Sequence, residues 1–328
     1  MTFTRRDLLL GVPLALAAAC VKRAPYDAAR FTHAARSAVG LFPAADYSVD
    51  FSQVVSRGLV ELGVSVKGLR VFLKPNMVEY EAGTIINTDA RVVVGAALAM
   101  LRSGAREVIV GEGPGHRRDI EYLLVSTGLY DHLRENRIRF IDLNHDDVRT
   151  VALASRFTKL TELALPMELL ASDFVVSMPK LKTHHWAGLT VSMKNLFGVV
   201  PGAVYGWPKN LLHVHGIDAS IVDLTATLRP QLAIVDAVVG MEGDGPIMGS
   251  PRAVGCVVMG TDLVSVDATC ARLIGLDPAT VSYLSTASAF LGNLGADRIE
   301  QRGERLERYQ TRFALPGTSA EVPVRFGA

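Results

Sequence analysis

Cysteine is scarce in this chain: 328 residues hold three, Cys20, Cys256 and Cys270, with no C-x-x-C pair. They cannot supply the four thiolates of a typical iron–sulfur cluster or of a Cys-rich zinc site, so no iron–sulfur cluster is expected. A surplus of charge is missing as well. The 34 Lys and Arg against 33 Asp and Glu leave a net charge of +1, which gives no global field to gather nucleic acid and makes nucleic acid an unexpected partner. No period of repetition appears that would build a solenoid. The apolar run Leu8–Ala19 is too short to cross a bilayer as a permanent helix. What the chain does have is 49% hydrophobic and 20% charged residues, the composition of a globular protein with a large core.

The first twenty residues read as a targeting segment outside the fold. Thr4-Arg5-Arg6-Asp7 precedes that apolar run and three alanines, a pattern similar to a twin-arginine signal, which makes the twin-arginine export machinery an expected partner. Cys20, directly after the alanines, sits where a bacterial lipoprotein carries its lipid, although Ala17 replaces the usual leucine. The expected location is the cell envelope or periplasm, with membrane contact through the signal or a lipid anchor. Residues 21–46 are expected to be tether and lead-in, 47–295 a single α/β domain, and 296–328 a peripheral, solvated tail.

Between residues 47 and 295 strand-like and helix-like patterns alternate. Short apolar runs at Arg70–Leu73, Arg106–Val110, Arg137–Leu143, Phe174–Met178, Leu232–Val239 and Val254–Met259 predict strands. Helical spacing marks Val49–Leu62, Asp89–Ser103, Asp119–Glu135 with Gly128 inside it, Asp218–Leu228 and Val264–Ile274. Alternation of this kind predicts a mostly parallel sheet with helices on both faces, in one body or in two lobes.

In an open parallel sheet, ligands bind beyond the carboxyl ends of the strands, where the chemistry-bearing residues here recur. Lys74 and Asn76 follow the first strand, Glu112 the second, Asp142 the third and Lys180 and Lys182 the fourth; Asp236, Glu242 and Asp244 lie in or after the fifth. Two lysines two residues apart face the same side if strand geometry persists, and Lys194 adds to their field. Ammonium groups sharing a cleft repel unless an anion neutralises them, which predicts either a small phosphate- or carboxylate-bearing ligand or a purely structural network with Asp236 and Glu242. Met241-Glu242-Gly243-Asp244-Gly245-Pro246 suits a turn, a ligand loop or a divalent metal site. Gly111-Glu112-Gly113-Pro114-Gly115 lacks the dinucleotide spacing. His184-His185 and His213-x-His215 offer imidazoles for a metal, though single histidines are more often hydrogen-bonded or surface residues.

Taken together, Lys74-Pro75-Asn76, Pro179-Lys180-Leu181-Lys182-Thr183-His184, Lys194-Asn195-Leu196-Phe197-Gly198, Ile234-Val235-Asp236, Met241-Glu242-Gly243-Asp244-Gly245-Pro246 and Gly260-Thr261-Asp262 resemble, in order, the bacterial and archaeal family catalogued as domain of unknown function 362. Trp207-Pro208-Lys209-Asn210-Leu211-Leu212-His213 matches a pattern in part of it. Some members carry ferredoxin-type cysteine clusters; this chain departs from them in having none. The resemblance brings motifs and no established activity.

The expected site therefore places Lys74, Asn76, Lys180, Lys182, Lys194, Asn195 and His213 around an anionic substrate. His184, Asp236 and Glu242 are the candidate catalytic groups, and Asp236, Glu242 and Asp244 the candidate ligands of a divalent metal. An exported enzyme is the leading expectation. A non-catalytic lipoprotein that captures an anion and a redox accessory protein without its own cluster are the alternatives.

Overall fold

In a computed structural model that describes residues 24–115 and 119–317, the strands run in chain order as follows. β1 (Ser37–Pro43), β2 (Arg70–Pro75), β3 (Glu107–Glu112) and β4 (Arg139–Asp142) come first; β5 (Val148–Ala152) and β6 (Glu162–Pro166) form a separate antiparallel pair; then come β7 (Phe174–Met178), β8 (Lys180–His184), β9 (Gly188–Thr190), β10 (Leu232–Glu242), β11 (Ser250–Gly260) and β12 (Ile299–Gly303). Ten of these make one sheet with the spatial order β12-β1-β11-β10-β7-β2-β3-β4, and β8 and β9 extend from β10. From β10 to β4 every neighbour is parallel, whereas β11 runs antiparallel to both β10 and β1. The fold is α/β with a large, mostly parallel sheet. The expected signal at residues 1–20, with Cys20, lies outside the described residues.

Alternation along each strand builds two cores, because successive side chains point to opposite faces. Val71, Leu73, Val108, Val110, Phe174, Val176 and Ile234 pack with α1 (Phe51–Glu61), α2 (Ala90–Arg102), α3 (Ile120–Ser126) and α4 (Leu129–Glu135). Phe72, Ile109, Val175, Ala233 and Val235 face the other way. After the single turn α5 (Met167–Leu170), that second layer is built from α7 (Asn210–Val214), α8 (Ile217–Leu228), α9 (Leu263–Leu273) and α10 (Ser282–Ala287), with α6 (Gly202–Tyr205) just before α7. Asp50 and Asp89 start α1 and α2 by accepting first-turn backbone N–H groups. The helix expected over 119–135 is two, α3 and α4, joined at Gly128, whose φ of 73° breaks the helical run.

Two expectations at the chain ends are corrected. Residues 21–46, expected to be tether and lead-in, supply β1, whose Val39, Leu41 and Phe42 are fully or almost fully buried against β11. Part of the expected peripheral tail supplies β12, which adds to β1 in parallel. Neither segment alternates cleanly, and each becomes a strand only through partners more than 200 residues away, or at the opposite end of the chain.

The device that sets up the site is the passage from β7 to β8. Both run alongside the long β10, first as Leu232 opposite Val176 and Ala233 opposite Ser177, then as Asp236 opposite Lys180 and Met241 opposite Lys182. Two steps along β8 thus match five along β10, so simple alternation fails between Lys180 and Lys182.

Further along, Asp267 on α9 is fully buried. It accepts hydrogen bonds from Ser192 Oγ (2.5 Å), Ser192 N (2.9 Å), Met193 N (3.2 Å) and Tyr283 Oη (3.4 Å), fixing the chain immediately before Lys194. Burial pushes its carboxyl up to about 7 against these stabilising donors. The folded state therefore holds this proton to higher pH than the unfolded chain, and the stability conferred by Asp267 falls as pH rises from about 4 to about 7. Urea denaturation should show Asp267→Ala less stable by about 2–4 kcal/mol at neutral pH, since two buried N–H groups lose their acceptor. Across pH 4–7, wild type should lose stability relative to Asp267→Asn; a constant difference would show that Asp267 titrates normally.

Candidate functional site

A cavity of about 650 Å³ opens beyond the carboxyl ends of β2, β3 and β8. Lys74 comes from β2, Glu112 from β3, Lys182 and His184 from β8 and Thr190 from β9; Lys194, Asn195 and Phe197 come from the 3-10 turn Lys194–Val199. Lys209 enters from just before α7 and His213 from within it, and Asp244, Pro246 and Met248 from the turn between β10 and β11. At the rim Trp186 is 66% and Met248 80% exposed.

The four cavity lysines differ in how many of their three ammonium protons are already engaged. Lys74 Nζ donates to Glu112 Oε2 (2.5 Å), Pro75 O (2.8 Å) and Asn195 Oδ1 (2.8 Å), which occupies all three. Asn195 in turn donates to Lys74 O and Ser177 Oγ, locking strand to turn. Gly198 is required here by close approach, since a Cβ would overlap the Glu112 carboxylate and the Lys74 ammonium. Lys209 Nζ donates to the carbonyls of Gly113 (2.6 Å), Phe197 (3.1 Å) and Gly198 (3.1 Å) and is likewise filled. Lys182 Nζ reaches Ile86 O (2.8 Å) and Pro246 O (3.3 Å), leaving one proton. Lys194 Nζ lies 3.8 Å from the Phe197 ring centroid and, among the described residues, has no hydrogen-bond or ion-pair partner.

Burial lowers the pKa of all four. Lys182 falls well below the ordinary lysine value through desolvation and then the neighbouring Lys180 and Lys194. Desolvation, reinforced by Lys74, brings Lys194 to about 7; Lys209 also reaches about 7 through desolvation, partly offset by Glu112. Lys74 is lowered by burial, with Glu112 opposing.

Two further polar atoms of the cavity wall lack partners. Asn76 Oδ1 and Thr190 Oγ1 are buried without hydrogen bonds, in residues 8% and 4% exposed. His184 Nδ1 accepts the N–H groups of Trp186 (3.0 Å) and Ala187 (3.2 Å), so its proton resides on Nε2. Desolvation, followed by the charge of Lys194, drives its pKa down to about 2, which makes it a neutral hydrogen-bond donor at physiological pH. His185, stacked on it at 4.9 Å, donates from Nδ1 to Gly245 O (2.7 Å). His213 Nδ1 pairs with Lys209 O (3.2 Å).

Not every expected residue arrives here. Lys74, Asn76, Lys182, His184, Lys194, Asn195, His213 and Asp244 line the cavity, whereas Lys180, Asp236 and Glu242 do not. Lys180 bonds Asp236 Oδ2 (2.7 Å) and Tyr47 Oη (2.5 Å), and Tyr47 and the Asp89 N–H also donate to Asp236. In alternation with Ile234 and Val238, Asp236 faces the α1–α2 layer, on the sheet face opposite Lys74. Lys180 opens instead onto a smaller cleft of about 270 Å³. Burial, then the Asp236 charge, raises the Tyr47 pKa, keeping the phenol protonated as a donor. Glu242 accepts from Ala314 N (2.9 Å) and Asp244 from Gly317 N (3.0 Å). The expectation of one metal set from Asp236, Glu242 and Asp244 is thus not what these carboxylates form, and no group of three or more metal-ligating side chains is assembled among the described residues.

Sequence reasoning placed Glu112 at this edge and offered His185 as a metal-binding imidazole without giving either a role toward the anion, and it named neither Thr190 nor Lys209 as a site residue. Lys209 had a signal in the Trp207-Pro208-Lys209 string, where its φ of 66° aims it from an unusual backbone conformation. Thr190 had none.

Comparison with known proteins bears on the same stretch of chain. A thylakoid-associated protein of Synechocystis sp. is 29% identical over 230 residues, covering 66% of this chain and 67% of that one. A crystal structure of a Thermotoga maritima protein matches 73% of this chain and 58% of its own, at 12% identity and a TM-score of 0.39; the chain thus spans less than two thirds of that solved chain. Residues 71–272, which carry β2 through most of α9 and every lysine of the cavity, match the family model described as Domain of unknown function (DUF362), and the chain belongs to that family.

Proposed function

We propose that the cavity binds and transforms a small molecule bearing a phosphate or carboxylate, and that the protein is an enzyme acting on it. The observation that carries this reading is the set of unengaged groups: one proton on Lys182, the amine of Lys194, the Nε2–H of His184, and the unpartnered Asn76 Oδ1 and Thr190 Oγ1. An anion meets the first three, while a ligand hydroxyl or N–H meets Asn76. Glu112 is matched to Lys74, and Asp244, which accepts from Gly317 N, is the other carboxylate of the cavity wall, so the cavity's lysines outnumber its carboxylates. Lys74 and Lys209 hold the walls together, and the Lys180–Asp236 pair fastens the other face of the sheet.

That division has a direct test in calorimetric titration with inorganic phosphate and with acetate. Lys182→Met should weaken anion binding about tenfold or more, because a charge-assisted donor is lost at nearly constant volume. Asp236→Asn should leave anion affinity within about twofold while costing about 3 kcal/mol of stability, since it breaks a buried ion pair away from the cavity. Equal losses of affinity in both variants would return the lysines to one shared site with Asp236.

We further infer export through the twin-arginine route and lipid attachment at Cys20, on the strength of Arg5-Arg6, the short apolar run and the alanines before Cys20. The membrane-linked name of the Synechocystis relative is consistent with this reading. No helix among the described residues is long and apolar enough to cross a membrane. In the native host, Cys20→Ala should move the protein from the membrane fraction to the soluble one. Unchanged fractionation, or an intact N-terminus on the mature protein, would contradict lipidation.

A further inference from the structure

Lys194 is set apart from its neighbours by geometry. Lys74, Lys182 and Lys209 are tied down by acceptors, whereas the Lys194 amine faces the cavity with an aromatic ring beneath it and no acceptor among the described residues. Its backbone is held rigidly: Asp267 clamps Ser192 and Met193 just before it, Asn195 is fixed to Lys74 and Ser177 just after it, and Asn195 N bonds Val191 O. A cationic lysine with a structural role would be expected to have an acceptor, as the other three do. An amine held this way, beside a cationic neighbour and an apolar ring, is an activated nucleophile.

We propose that Lys194 forms an imine with a carbonyl carbon of the bound ligand, so that the substrate class is a 2-oxo acid or another aldehyde or ketone that also carries an anionic group. This deepens the reading of the cavity as an anion site and rests on it. The neutral Nζ adds its lone pair to the carbonyl carbon while the C=O π electrons move to oxygen. The proton lost by nitrogen is taken up by that oxygen, giving a carbinolamine. The C–O bond then breaks as the oxygen leaves with a second proton from nitrogen as water, and the nitrogen lone pair closes the C=N bond. The sum is amine plus carbonyl giving imine plus water, with no external oxidant or reductant.

The surrounding groups suit each part of this step. His184, whose Nδ1 is occupied by two backbone donors, presents Nε2–H to the carbonyl oxygen, and His185 stacks on it in the same wall. The charged or titratable groups that line the cavity with Lys194 are Lys74, Glu112, Lys182, His184, His185, Lys209, His213 and Asp244. Glu112 is occupied by Lys74 and by the N–H groups of Met77 and Gly113, and Asp244 accepts from Gly317 N, so neither carboxylate is hydrogen-bonded to Lys194. Burial and the nearby Lys74 leave a substantial part of the Lys194 population unprotonated near neutral pH.

Reductive trapping reads the step without knowledge of the natural ligand. The full chain is incubated at pH 7 with glyoxylate and cyanoborohydride, which delivers hydride to the C=N bond, and the modified lysine is located by peptide mass spectrometry. Labelling is expected at Lys194 at least about tenfold faster than at the exposed Lys67 and Lys159. It should saturate with glyoxylate, be competed by acetate, and disappear in Lys194→Arg, which keeps the positive charge but is not a nucleophile. Lys182→Met should raise the glyoxylate concentration needed for half-maximal labelling about tenfold. Acetate or phosphate binding with labelling no faster at Lys194 than at Lys67 overturns the imine and leaves the anion site standing. Absence of both anion binding and Lys194 labelling overturns the two together. Fast labelling of Lys194 by propionaldehyde as well as by glyoxylate, without competition by acetate, overturns the anionic substrate class.

Discussion

Every lysine amine placed inside this protein must find oxygen acceptors or lose its proton, and the carboxyl-terminal edge of the sheet is organised around that demand. Lys74 satisfies it with Glu112, Asn195 and Pro75 O, and Lys209 with three carbonyls; these amines join β2, β3, the Lys194–Val199 turn and the approach to α7. Gly198 accepts the consequence, because the ion pair lies where its side chain would be. Lys182 is satisfied in part and Lys194 by an aromatic face alone. The same chemical group therefore does two jobs at one edge: two lysines build the wall and two remain available to a ligand.

The sheet separates a second charge system from the first. The Lys180–Asp236 pair, with Tyr47 and the Asp89 N–H, lies on the α1–α2 side, and the uneven pairing of β8 with β10 is what allows Lys180 and Lys182, two residues apart, to serve different compartments. A one-face site could have gathered all the motif carboxylates near the ligand. Instead Asp236 answers a lysine on the far face and Glu242 a backbone N–H, and the cavity keeps four lysines against the two carboxylates Glu112 and Asp244.

The sequence made the α/β class and most of the parallel strands legible, because apolar runs such as Phe174–Met178 and Leu232–Val239 are bounded by turn residues and separated by helical patterns. It also made Lys74, Lys182, Lys194 and Asn195 legible as residues of one edge. Hidden were β1 and β12, which owe their strand state to partners distant in the chain, and the bulge that splits Lys180 from Lys182, which no local pattern encodes. Thr190 was hidden for another reason: an unpartnered buried hydroxyl is a property of the assembled wall, not of residue type.

Lysines kept partly uncharged by burial take up protons when an anion without a carbonyl binds beside them, whereas a carbonyl ligand consumes the neutral Lys194 amine. Proton uptake on sulfate binding tests this most directly, since sulfate carries no titratable proton between pH 6 and pH 9 and the calorimetric heat measured in buffers of different ionisation enthalpy reports protons taken up. Uptake is expected between about pH 7 and pH 9 and should diminish towards about pH 6, where Lys194, lowered to about 7, is already mostly charged. Sulfate binding without proton uptake at pH 8, where that lysine is mostly neutral in the free protein, would contradict it.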